Sequence, residues 1–223
     1  MPVSISPKLA LLEEYALVAR ALSAPARLMI LEQLAQGERG VESLAEKTGL
    51  SFANCSQHLQ QLRRAGLVTS RRDGKAVIYR LSDSKTLALM DLLRIVAERN
   101  LARVERILRG LSCGEDAPEP MSRTELAERL AEGSVTVLDV RPADEYAIGH
   151  IPGARNVILA DLEQILSKLA PEAEIVAYCR GPYCVYAHQA VAALRRKGRN
   201  ARRLDGGLPE WREDGRTVHL GAN

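Results

Sequence analysis

The sequence predicts two domains, the first mostly α-helical and the second α/β with a parallel sheet. Three observations carry that prediction. Residues up to about 110 repeat apolar side chains at helical spacing, interrupted by one hairpin signal. Residues after about 122 alternate short apolar strands with helical stretches. Between them, SCGEDAPEPM at 112–121 holds two prolines, a glycine and three acids with no apolar period. The expected organisation is therefore a domain over residues 1–111, a linker over 112–121 and a second domain over 122–223. A chain of 223 residues is long enough for two cores of about 100 residues each.

Leu11, Tyr15, Val18 and Leu22 follow i, i+4, i+7, i+11 along one face of a first helix. Pro25 suits the first turn of a second, with Leu28, Leu31 and Leu34 inward and Gly37 beyond its end. A short third helix carries Val41, Leu44 and Ala45 and stops at Thr48-Gly49. A fourth runs from about Phe52 to Ala65, with Gly66 closing it. Asp73-Gly74-Lys75 between the β-prone segments 67–72 and 76–81 signals a hairpin. One long helix is expected from about Ser84 to Gly110, repeating Leu93, Ala97, Leu101, Val104, Leu108 and Leu111. After the linker, strands are expected at 135–140, 174–178 and, more weakly, 201–204, with helices at 123–132, 161–170 and 185–197.

Charge divides along the same line. Residues 1–111 carry 17 Lys+Arg against 11 Asp+Glu, whereas the remainder carries 14 against 17, so only the first half suits a polyanionic partner. The opening MPVSISPK lacks a basic region followed by an apolar core, and no run reaches the roughly 18 apolar residues of a membrane span. A cytoplasmic protein without membrane attachment is expected, with its four cysteines, at 55, 113, 179 and 184, ordinarily reduced. A Cys-x4-Cys spacing with no second pair is a poor zinc pattern, so no metal or cofactor is expected.

Helix, turn, helix and hairpin is the winged helix-turn-helix layout, whose second helix of the pair enters the DNA major groove. On the fourth helix Cys55, Leu59 and Leu62 share an apolar face, while Asn54, Gln57, His58 and Gln61 form a polar stripe. Amide side chains make paired bonds to adenine, and Ser56 or Arg63 can reach phosphate or guanine. Arg71, Arg72 and Lys75 at the hairpin tip are placed to grip the backbone. A polar stripe alone is also what a solvated helix face looks like; helix pair, wing and charge together favour DNA.

The segments ALSAPARLMILEQLAQGE, SLAEKTGLSFANCSQHLQQLRRAGLV and RRDGKAVIYRLSD resemble the ArsR family of small dimeric repressors, over about residues 10–110. The resemblance implies a homodimer, built from the first and last helices of this half, on a double-stranded DNA operator. Many relatives bind metal through a Cys-x-Cys pair in the third helix, but GVESLAEKTG here has neither cysteine nor histidine. Cys55 reads as a packed core thiol and Cys113 as a thiol with no evident partner. The inducer is expected to be read outside the DNA-binding half.

VLDVRPADEYAIGHIPGARNV, ending at 157, and LDGGLPEW at 204–211 resemble the two signatures of a rhodanese-like domain. Between them IVAYCRGPYC ends a buried strand at Cys179, where the resemblance puts the catalytic cysteine. A thiolate there faces the positive N-terminus of the next helix, and Arg180 adds a charge; both favour the thiolate. Gly181 permits a tight turn, Pro182 stiffens it, and Tyr183 and Cys184 complete the sulfur- and anion-binding loop. Relatives acting on phosphate or arsenate carry one residue more than the six from Cys179 to Cys184. Cys184 reads either as an inert packing thiol or as a second nucleophile on a Cys179 persulfide. Asp139, Arg141 and His150 match positions more often structural than catalytic. His188 is expected to pack or face solvent, and His219 to sit near an untethered tail.

Three functional readings follow. In the leading one, a repressor changes its DNA affinity when Cys179 reacts with a sulfane-sulfur donor such as thiosulfate, a persulfide or a polysulfide. In the second, the chain is a rhodanese-type sulfurtransferase or persulfide reductase located on DNA. In the third, Cys179 and Cys184 form a general thiol redox switch.

Overall fold

A computed structural model of the chain describes residues 6–111, 119–167, 169–181 and 184–221. Cys113, Pro182 and Tyr183 lie outside the described residues. The chain divides into two compact units, one through Ala88 and one from Leu89 onward. This division falls inside the helical stretch expected to close the first domain.

In the first unit, α1 (Pro7–Leu22) and α2 (Pro25–Gln36) both begin on proline, whose missing N–H costs nothing in a first turn. α3 (Val41–Thr48) stops at Gly49, which takes the left-handed φ of +68°. Ser51 then starts α4 (Phe52–Arg64) by accepting a hydrogen bond from the Asn54 amide at 3.3 Å. β1 (Arg39–Gly40), β2 (Val68–Asp73) and β3 (Ala76–Leu81) form an antiparallel sheet in the order β1-β3-β2. Asp73 pairs with Ala76, so the hairpin loop is only Gly74-Lys75, with Gly74 supplying the positive φ of a primed turn.

Ile30, Leu31, Leu34, Leu44, Cys55, Leu59, Leu62, Leu67, Val68 and Tyr79 are buried at the centre of this unit. Leu28, expected inward, is only half-buried, and Ile30 takes the fully buried place. The apolar face of α1 is not covered: Leu9, Leu11, Leu12 and Tyr15 are all at least 50% exposed. α5 (Ser84–Asn100) starts where the Asp83 carboxylate accepts from the Lys85 and Thr86 amides. The single helix expected over 84–110 is two, since α6 (Ala102–Leu111) begins after a break at Leu101.

The second unit holds four parallel strands, β4 (Val135–Asp139), β5 (Arg155–Asn156), β6 (Glu174–Cys179) and β7 (Ala201–Gly207), in the order β5-β4-β6-β7. Both faces are covered, which is why β6 reads as an unbroken apolar run. Leu138, Ile175, Ala177 and Cys179 pack toward α9 (Leu162–Leu166) and α10 (Val185–Arg196). Val137, Val176 and Tyr178 pack toward α7 (Arg123–Glu132), α8 (Ala143–Ile148) and α11 (Leu208–Glu213). α8, α11 and the two-residue β5 are too short to show a period in the sequence. The helix expected over 161–170 is a 3-10 turn at Leu159–Asp161 followed by α9. The tail is tied down at His219, whose backbone N–H and carbonyl both bond His150 at 2.9 Å. That corrects the expectation of an untethered end.

Candidate functional site

On α4 the burial follows the apolar stripe: Cys55, Leu59 and Leu62 are fully buried, and Asn54, Gln57 and Arg63 are exposed. Ser56, His58 and Gln61 are half-buried. Gln61 is engaged within the unit, its Oε1 accepting from Arg27 Nη1 at 2.7 Å. Arg27 also donates to the carbonyls of Arg20 and Ala21, so this contact locks α4 to the α1–α2 corner. His58 buries Nδ1 with no hydrogen-bond partner among the described residues. On the wing, Arg72 and Lys75 are exposed, while Arg71 bonds Glu38 and Asp73 at 3.0 Å.

The thiol loop lies at the carboxyl ends of the parallel strands, where ligands bind in open α/β sheets. Cys179 ends β6, and Cys184 immediately precedes α10. Their sulfurs are joined in a disulfide, with the Cα atoms 6.2 Å apart. The Cys184 amide donates to the Gly181 carbonyl at 3.1 Å, closing the loop between them. Gly207 lets β7 approach: a Cβ there would lie 2.5 Å from both the Cys179 carbonyl oxygen and the Gly181 nitrogen.

Buried charge holds the loop from the other side. Arg180 donates to both carboxylate oxygens of Glu145 at 2.9–3.1 Å and lies over the Tyr186 ring. Glu145, on α8, has no exposed side-chain surface, so it offsets the charge of Arg180 at close range. Neighbouring Arg141 and Asp139 form a second, fully buried pair. Arg141 also donates to the Gly149 carbonyl at 2.7 Å, and the Tyr178 hydroxyl donates to Asp139 at 2.6 Å. Burial, followed by the Asp139 charge, holds the Tyr178 phenol well above its ordinary pKa, keeping it a donor. Sequence reasoning misses Glu145 and Tyr178; the acid-aromatic pair Glu145-Tyr146 inside the first signature is the available signal for Glu145.

His150 is fully buried, stacked on Tyr146 at 3.8 Å. His188 is half-buried, and burial lowers its pKa to about 4, so it is neutral near pH 7. Among the described residues no group of three or more His, Cys, Asp or Glu side chains is arranged to hold a metal. Nor is any helix among them long and apolar enough to cross a membrane.

Cys55 is fully buried, and burial pushes its thiol pKa up. Cys179 is equally buried but ends β6 just before the N-terminus of α10, beside Arg180, so once the disulfide is reduced it is expected to alkylate faster than Cys55 at neutral pH in the folded chain. Site-resolved labelling measures both rates in one sample, and equal rates would count against any thiolate-favouring environment at Cys179.

Residues 24–70 match the family described as bacterial regulatory protein, arsR family, and residues 122–214 match the rhodanese-like domain. The chain is 45% identical over 216 residues to HTH-type transcriptional regulator Rv0324 of Mycobacterium tuberculosis, covering 96% of this chain and 94% of the relative. It is 41% identical over 80 residues to a biofilm growth-associated repressor of Agrobacterium fabrum, covering 36% of this chain and 68% of that one. Among solved structures, a homodimeric winged helix-turn-helix DNA-binding domain from Mycobacterium bovis is 40% identical, covering 46% of this chain and 95% of that one, with a TM-score of 0.41.

Proposed function

Because the chain belongs to the arsR family of bacterial transcriptional regulators and carries a rhodanese-like domain, we propose that it is a repressor whose operator affinity is set by sulfane-sulfur chemistry at Cys179. The observation that carries the reading is the pairing of Cys179 with Cys184 across the strand-to-helix loop. In the reduced state, the Cys179 thiolate attacks the outer sulfur of a polysulfide or persulfide. A Cys–S–S bond forms, the donor S–S bond breaks, and the shortened donor leaves as a thiolate. The Cys184 thiolate then attacks the Cys179 sulfur, forming the disulfide and expelling hydrosulfide. No external oxidant is needed, because the sulfane sulfur is the atom reduced. The test is an operator titration of the reduced chain before and after polysulfide, with mass spectrometry of Cys179. A fully modified Cys179 with unchanged operator affinity would sink the proposal.

DNA engagement is proposed through Asn54, Ser56, Gln57, His58 and Arg63 in the groove and through Arg71, Arg72 and Lys75 on the backbone. The uncovered α1 face of Leu9, Leu11, Leu12 and Tyr15 supports a homodimer. Neutralising Arg72 and Lys75 together is expected to weaken every duplex alike and to lower the salt slope by about one for each phosphate left unneutralised. Arg71→Ala has the smaller expected effect, since Glu38 and Asp73 already hold that guanidinium. Gln57→Ala blurs base preference, whereas Gln61→Ala loosens the Arg27 anchor instead. Fluorescence anisotropy across a salt series reads all these variants, and salt-insensitive binding would contradict this interface.

The same disulfide favours a second reading, a dithiol switch oxidised by peroxide without a sulfur donor. There a thiolate becomes a sulfenic acid and the second thiol displaces water from it. A response to peroxide with none to polysulfide selects it. Rapid sulfur-donor turnover with constant operator affinity would instead select a sulfurtransferase.

A further inference from the structure

We infer that Glu210 is a positioning residue for the Cys179 loop, and that gain or loss of its proton tunes how readily the Cys179 thiolate forms. The inference rests on the reading of Cys179 as the reactive thiol.

Glu210 is the third residue of α11 and only 9% exposed. Its Oε2 accepts from the Gly207 amide at 2.8 Å, which fixes the carboxyl against the end of β7. Both its oxygens lie 3.3 Å from where a Cβ on Gly181 would stand. Gly181 has a φ of +145°, and the Gly207 backbone is packed directly on Cys179 and Gly181. Loop, strand end and carboxyl thus meet at the carboxyl end of β6. Gly206 lies close by, since a Cβ there would lie 3.1 Å from Arg123 Nη1 and 3.2 Å from Glu210 Cβ.

A carboxyl in that place is unusual chemistry for an anion-holding loop, because its charge opposes any charge on the thiol. Burial raises Glu210 to about 7, against the pull of its own amide, the Gly207 amide and Arg123. Among the described residues, charged groups on neighbouring elements act on it. Arg123 on α7 favours the carboxylate but is itself held by Asp214 at 2.6 Å and influenced by Asp205; Asp91 on α5 opposes the carboxylate. Below pH 7 the neutral acid leaves the loop amides to stabilise a thiolate. Above it, the carboxylate disfavours a second negative charge close by. Cys179 activation is therefore damped on the alkaline side, where other thiols gain reactivity.

The test uses the full chain reduced with a phosphine, and iodoacetamide labelling from pH 6 to 8.5. Trypsin cuts after Arg180, so Cys179 and Cys184 fall on separate peptides and are read independently. The rate ratio at Cys179 of Glu210→Gln over wild type is expected near 1 at pH 6, rising to about three- to tenfold by pH 8. The ratio at Cys55, in the first unit, stays near 1 and controls for labelling conditions, while a urea titration followed by Trp211 fluorescence checks that the unit holding Glu210 is folded. Glu210→Asp, which keeps the charge, retains the wild-type profile. A ratio that is flat with pH overturns the inference, as does a Glu210→Asp profile identical to Glu210→Gln. Wild-type Cys179 no more reactive than Cys55 at any pH is a different failure, that of the underlying reading of Cys179.

Discussion

Cys179→Ser is expected to bind operator as wild type does and to lose its response to polysulfide entirely. The substitution replaces a sulfur by a smaller oxygen in a position 1% exposed, so the sheet and its helices remain. What disappears is the nucleophile and with it the disulfide to Cys184. Coupling between a regulatory and a DNA site is typically about 1–3 kcal/mol, a roughly 5- to 150-fold change in operator affinity. All of it should vanish in this variant. Cys55→Ser should keep the response, because that thiol is sealed beneath α4. Cys184→Ser should leave the onset intact and change the reversal, since the modified chain then stays a Cys179 persulfide that no internal thiolate converts to the disulfide. Anisotropy titrations with and without polysulfide measure all three, and a wild-type response from Cys179→Ser would remove this site from the mechanism.

The largest stability loss is expected from Asp139→Asn. Arg141 and Asp139 are both without solvent exposure; the Tyr178 hydroxyl donates to Asp139, and the Gly149 carbonyl accepts from Arg141. Removing one charge takes from the buried guanidinium the acid it is bonded to, and breaking a buried pair in this way typically costs about 3–5 kcal/mol. Replacing both partners by apolar residues should recover part of that, because the desolvation of two ions goes with them. Trp211 is the only tryptophan and is buried in the second unit, so its fluorescence in a urea titration follows this unit alone. A loss below about 1 kcal/mol would show that water or another acid reaches Arg141.

Legibility in the sequence tracked the range of the interaction. Pro25, Gly49, Ser51 and Gly74 act on their own or adjacent turns, and the helices and the hairpin they delimit lie at the expected positions. Short elements escaped, as at α8, α11 and β5, because six helical residues make less than two turns and two strand residues only one repeat. The long α5–α6 pattern concealed its break at Leu101, since an apolar repeat continues on either side of it.

The sequence by itself determined the two-part architecture, the helix-turn-helix with its wing, and the parallel α/β unit with Cys179 ending a buried strand. Each is written in local periods and turn residues. Only the tertiary structure decided the partners: Arg180 with Glu145, Gln61 with Arg27, Arg141 with Tyr178 through Asp139, and Glu210 against Gly181. Tyr178 and Asp139 are 39 positions apart, and Arg180 and Glu145 are 35. Charge pairing at such separations leaves no period in a chain, because burial and low dielectric, not spacing, select one acid among many.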